Sequence, residues 1–325
     1  MTAARVAANP SRRAAGSGGR DGWTRVGLPG PLDVAASVAG FRRWGDDMLD
    51  RWDGITLVRV IDVGQTPVAV AARVSGSVLR PRLEVTAERP ELLAGAATAL
   101  VATFVAAPGA LAALAAADPL IARLETAYPG VRPVLQPDLY TAIVRSISAQ
   151  QVNLPWAATT RRRLAEAYGT AHEVAGHDVR RLDAVRLAGV SVADIRALQF
   201  TTRKAEYIVG TAEEIASGRL GLDELRSLPD DEVVTRLSAL RGVGTWTAEW
   251  LLCRTLGRPR VVAGDLGVRK AVGAAYLNDS LPSEARVRDA TAHWGEAATV
   301  AQQLLLHDLI ERTDGPVPWA QAAQP

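Results

Sequence analysis

Residues 231–256 constrain this chain most: two helical patterns meet at Gly242-Val243-Gly244, which leaves room only for a hairpin. Val233, Val234 and Leu237 before it, and Ala248, Leu251, Leu252 and Leu256 after it, recur at helical spacing, so each arm buries one face. Glycine enters backbone conformations closed to other residues, and two of them permit a turn that leaves N–H groups facing outward where the second arm begins. The helix dipole there favours an anion, so Gly242, Gly244 and Thr245, with Arg241 beside them, read as a phosphate clamp. A Gly-X-Gly between helices is more often a plain turn, and the tripeptide alone does not make the clamp.

Three nearby features bear on the choice. Asp265 follows a loop break and precedes the apolar run from Leu266 to Tyr276, the place of an N-cap. Trp246 and Trp250 stand four apart on the second arm and share a face, either as core or as a pocket wall. Upstream, the amphipathic stretch Ile143-Val144-Arg145-Ser146-Ile147-Ser148-Ala149 ends in Gln150-Gln151, which is either polar surface or a contact. The stretch Leu198 to Ile208 carries Arg203-Lys204-Ala205-Glu206 behind Thr202, an ordinary helix start.

Together these blocks resemble the helix-hairpin-helix (HhH-GPD) superfamily of DNA glycosylases, whose signature is a Leu-Pro-Gly-Val-Gly-like hairpin with an aspartate some twenty residues on. Arg241 occupies the proline place. The resemblance implies that Asp265 is catalytic, stabilising the oxocarbenium-like sugar cation formed as an N-glycosidic bond breaks and orienting the attacking water. It implies a base flipped out of duplex DNA, with Gln151 filling the gap, Gln150 as a pocket contact, and Trp246 and Trp250 lining the pocket. It also implies a monovalent cation on hairpin carbonyls as one route to the backbone phosphate, with no side-chain metal site. Relatives that also cut the strand carry a lysine two residues after the second hairpin glycine. Trp246 stands there, and the only lysines are Lys204 and Lys270. The expected activity is therefore hydrolysis without strand cleavage. Cationic alkylated purines of the 3-methyladenine and 7-methylguanine type suit an indole-lined pocket and leave readily. Deaminated or oxidised bases, or DNA damage binding without catalysis, are the alternatives. The C-terminal block offers Trp294 but no arginine matching the family's, and Leu266 stands where some relatives have an aromatic.

Composition sets the bounds. At 325 residues and 48% hydrophobic the chain can hold two or three domains, and a net charge of +2 permits nucleic-acid binding without demanding it. Arg145 with Arg161, Arg162 and Arg163, and Arg196 with Arg203 and Lys204, are local basic clusters, each a solvated face or a DNA contact. A lone cysteine, Cys253, excludes a disulfide framework and a four-cysteine cluster, and His172, His177, His293 and His307 show no metal-ligand spacing. No cofactor is expected. No apolar run reaches membrane-spanning length, so a cytoplasmic, nucleoid-associated protein is expected, with duplex DNA as partner and monomer as the default.

Residues 1–22 read as a disordered basic tail. Residues 23–112 carry short β-branched segments, Ile55–Val63, Pro67–Val74 and Val78–Val85, that predict an antiparallel meander flanked by helices over Val38–Arg51 and Arg89–Val105. From 113 to 325 the pattern is helical throughout, with helix starts at Asp118 and Asp138. The fold class is thus α+β: a small antiparallel sheet domain followed by an all-α HhH-GPD core. That order resembles the bacterial 3-methyladenine DNA glycosylase II type.

Overall fold

A computed structural model describes residues 22–314, so the tail expected at 1–22 lies, Gly22 apart, outside the described residues. Strands β1 (Thr24–Gly27), β2 (Asp50–Trp52), β3 (Thr56–Val63), β4 (Thr66–Ser77) and β5 (Arg80–Ala87) form one antiparallel sheet in the order β1-β5-β4-β3-β2. The Val- and Ile-rich segments supply the three central strands. The helix expected over Val38–Arg51 does not form as one piece: α1 (Val34–Val38) and α2 (Gly40–Arg43) are short, and Gly45 and Met48, both at positive φ, turn the chain into edge strand β2. Helix α3 (Leu93–Val101) lies on one sheet face, where Ala96 and Leu100 pack with Leu57, Ile61, Val70 and Val85.

The helical region runs through α4 (Pro108–Ala117), α5 (Pro119–Ala127), α6 (Leu139–Ala149) and α7 (Leu154–Tyr168). Asp118 and Asp138 cap α5 and α6 through their side chains. The chain is then not helical throughout. Strands β6 (Thr170–Val174) and β7 (His177–Arg181) form a hairpin across Ala175 and Gly176, both left-handed as a two-residue hairpin turn requires. Val174 and Val179 cover Val58, Ala69 and Ala71 on the outer face of the large sheet. The sheet is therefore covered on both faces, which explains why β3 lacks a polar alternate face.

Short α8 (Ala184–Leu187) and α9 (Val192–Ala197) lead to α10 (Thr202–Ala216), α11 (Leu222–Ser227), α12 (Asp230–Ser238) and α13 (Thr245–Arg254). Helices α14 (Leu266–Val272), α15 (Glu284–Thr291) and α16 (Ala298–Asp314) complete the region, and the run expected to continue to Tyr276 passes into a wider π turn at Gly273–Leu277. Helix α6 is the axis of one core, with Ile143 and Ile147 among Leu164, Ile208, Leu251 and Leu252. A second core joins α5, α14 and α16 through Ile121, Leu124, Val268, Val272 and Leu304 and takes in Trp294, which is 2% exposed.

The arginines read as a surface cluster settle how sheet and helices meet. Arg145 donates to Asp47 at 2.5 Å and to Asp50 at 2.9 Å, and Arg161 donates to Asp47 at 2.8 Å and to the Ser148 hydroxyl at 2.9 Å. Arg59 closes the network on Asp50 at 2.6 Å. Arg145 and Arg161 are thus structural, not DNA contacts, while Arg162 faces solvent beside Glu166. Burial opposes charge on Asp47, but the guanidinium groups of Arg145 and Arg161 together outweigh it and hold its carboxyl below its ordinary value. Asp47→Ala strands the buried Arg161 cation and leaves Arg145 with Asp50 alone, and should cost about 3–5 kcal/mol in denaturant unfolding. Because the folded-state value is depressed, the stability Asp47 contributes is present at neutral pH. It is lost as pH falls below about 4, so urea midpoints of the parent, but not of the variant, should carry this acid-dependent part.

Candidate active site

The hairpin forms as its spacing dictates. Gly242 sits at φ +88°, and a Cβ there would fall inside the Tyr207 ring, so both backbone and packing demand glycine. Gly244 differs from the expectation of two special glycines: it is the extended N-cap of α13 (φ −89°, ψ 177°), a conformation open to any residue, and a Cβ there meets nothing within 4 Å. What Gly244 leaves is open space in front of a helix start that no side chain caps. Thr245 is exposed at the first helical position, and Arg241, 80% exposed in its side chain, reaches Glu206 at 3.3 Å. Val243 between the glycines is buried and pins the turn.

Gln150, expected as a pocket contact, caps the end of α6 and donates its amide N–H to the Gly242 carbonyl at 2.9 Å, bracing the hairpin from behind. The Leu240 carbonyl accepts from Val243 N–H and the Gly244 carbonyl from Ala248 N–H. Three hairpin carbonyls thus already serve protein donors. Gln151 is exposed with φ +55°, a left-handed conformation that costs a non-glycine residue about 1 kcal/mol or more. Lys204 ties the last turn of α6 before that loop, its ammonium donating to Ser148 O at 2.9 Å, and burial lowers its pKa.

Asp265 caps α14, its Oδ1 accepting from Val268 N–H at 2.9 Å. Its Oδ2 accepts the indole N–H of Trp246 at 3.3 Å. Both oxygens are thereby oriented, one by the helix it starts and one by the hairpin's second helix. Trp246 therefore positions the carboxylate rather than walling the large cavity. Trp250, one turn on, does line that cavity, which has a volume of about 640 Å³ and lies between the sheet domain and α13 and α16. Phe41, Trp44 and Trp52 face it from the sheet side, and Arg254 and Gln303 from the helices. Asp265 and Trp246 both lie outside this lining. Sequence reasoning missed Arg254. Trp246, Trp250 and Arg254 fall at i, i+4 and i+8, and a charge continuing an aromatic stripe was the available signal. Cys253 is buried core, its thiol pushed up to about 11 by desolvation. Among the described residues no group of His, Cys, Asp and Glu could hold a metal, and no helix is long and apolar enough to cross a membrane.

Residues 144–296, from inside α6 to just before α16, match the profile of the HhH-GPD superfamily of base excision DNA repair proteins. Residues 144–296 thus form an HhH-GPD domain. Among curated proteins it is similar to the DNA-3-methyladenine glycosylase of Bacillus subtilis (28% identity over 185 residues, 56% of this chain and 61% of that protein). The chain spans a little over half the length of the first curated relatives it matches. Among solved structures, 3-methyladenine DNA-glycosylase from Archaeoglobus fulgidus superposes with TM-score 0.77 at 22% identity, covering 90% of this chain and 99% of that one. An 8-oxoguanine glycosylase/lyase of Clostridium acetobutylicum bound to double-stranded DNA gives 0.70 at 17%, covering 91% and 97%. These two share the fold: an antiparallel sheet domain followed by a helical region.

Proposed function

We propose that this protein is a DNA glycosylase of base excision repair that hydrolyses the N-glycosidic bond of damaged purines in duplex DNA, alkylated purines first among them, without cutting the strand. The observation that carries the reading is Asp265, held by the α14 N-terminus and the Trp246 indole beside the hairpin. Support comes also from the superfamily match over residues 144–296 and from the name of the Bacillus relative.

The hairpin N–H groups at Gly244 and Thr245 take a backbone phosphate, and Gln151 at the exposed end of the α6–α7 loop enters the stack where the base has left. The base enters the aromatic cavity. As the C1′–N9 bond lengthens, positive charge grows on the sugar and the Asp265 carboxylate stabilises it while water attacks C1′. An N-methylated purine leaves as a neutral base, so no general acid is required.

No amine stands at the place of a Schiff-base nucleophile: Trp246 occupies it, and Lys204 is engaged with Ser148. Incubation with methylated duplex DNA should therefore leave intact strands bearing abasic sites, and borohydride should trap no protein–DNA adduct. Adduct formation would refute the hydrolytic assignment.

A further inference from the structure

The segment between α13 and α14, residues 255–265, forms no helix or strand, yet it carries Asp265 at its end. One face of α16 holds it. Thr299, Gln302 and Leu306 fall at i, i+3 and i+7 and so look the same way. The Thr299 hydroxyl donates to Arg258 O at 2.9 Å and accepts Arg260 N–H at 3.3 Å, fixing the early part of the segment. Gln302, 2% exposed, accepts Val262 N–H on its Oε1 at 2.7 Å. Val262 O in turn accepts Asp265 N–H at 3.0 Å. Leu306 packs beyond the carboxylate: a Cβ at Gly267, in the first turn of α14, would lie 3.0 Å from Asp265 Oδ1 and 3.1 Å from Leu306 Cδ2.

Val262 thus links α16 to Asp265, its N–H engaged with one and its C=O with the other. Gly264 brings the same segment against α13: a Cβ there would stand 3.3 Å from Trp246 Cβ, and the Trp246 indole N–H reaches Asp265 Oδ2 at 3.3 Å. That bond is long, so a small retreat of the segment from α13 breaks it. Glu249 of α13 also draws Arg260 inward, at 3.4 Å, but this anchor acts two residues before Val262. We propose that Gln302 is a positioning residue for the Asp265 carboxylate. From a helix that lies outside residues 144–296, its amide oxygen sets where Val262 lies and, through Val262, how far Asp265 stands from the sugar carbon on which positive charge grows. The proposal rests on the glycosylase reading above. Without that acceptor Val262 N–H is buried and unpaired, and the segment must shift to recover a partner. A displacement of about 1 Å at a reacting group costs up to about a hundredfold in rate.

The test is a double-mutant cycle on single-turnover methylpurine release from methylated duplex DNA, with duplex affinity and melting temperature read on the same proteins. Gln302→Met fills similar space without the acceptor and should slow release about tenfold or more, with duplex affinity held within about twofold. In an Asp265→Asn background the same substitution should cost less than about twofold, because the charge it positions is gone. A merely structural role lowers the melting temperature and acts alike in both backgrounds. Equal losses in the two backgrounds, or no loss in the parent background, overturn the proposal. Gln302→Asn, which keeps the amide but draws it back by one methylene, carries the same comparison should Gln302→Met not fold. A parent that frees no methylpurine refutes the glycosylase reading instead, and the nuclear magnetic resonance signal of the Trp246 indole N–H, identified by its loss in Trp246→Phe, then decides for Gln302. Displacement of that signal by Gln302→Met in the parent background and not in Asp265→Ala sustains the positioning role. A signal that stays in place, or moves equally in both, rejects it.

Discussion

Asp265→Asn should slow base release by about 100- to 1,000-fold while leaving thermal stability nearly unchanged. Asparagine keeps the oxygen that accepts Val268 N–H, and as an N-cap it equals aspartate, so α14 still starts at Leu266. What it removes is the negative charge, together with the acceptor of the long Trp246 indole hydrogen bond. A carboxylate that served only as a cap would be replaced by asparagine without kinetic consequence, so single-turnover rates and a melting curve on the same variant separate the two roles. DNA affinity should hold or rise, since a negative charge near the phosphate backbone has been neutralised.

Gly242→Ala and Gly244→Ala should diverge although the residues are two apart. At Gly242 the new methyl meets the Tyr207 ring and the backbone is left-handed, so a loss of about 2–4 kcal/mol is expected from overpacking and strain together. At Gly244 the conformation is ordinary and the space empty, so stability should stay within about 0.5 kcal/mol. If that space receives a phosphate, Gly244→Ala should weaken duplex binding without weakening the fold. Chemical denaturation and fluorescence anisotropy read the two quantities separately, and unchanged DNA affinity in Gly244→Ala would remove the hairpin from the binding surface.

The hairpin was legible because periodicity on both arms and the glycines between them are local signals, and Asp265 because an N-cap is one too. The arginine clusters were not. Arg145 and Arg161 look like solvated charge until Asp47, 98 and 114 residues away, is brought beneath them by the sheet domain. The β6–β7 hairpin escaped because only Val174 and Val179 give it an apolar face, amid His172, Glu173, His177 and Asp178. The cavity is the same kind of feature, with walls from α2, β2, α13 and α16, so no single stretch announces it. Arg254 near the end of α13 reads in sequence as a basic residue matched to the helix dipole, and only the fold brings Gln303 to it at the cavity wall.

One measurement bears most directly on the central claim: chromatography of free purines released by the parent protein from methylated duplex DNA, against a protein-free control at the same temperature. The account expects methylated purines to appear at a rate proportional to enzyme. DNA bound, and no purine above the control, would contradict it.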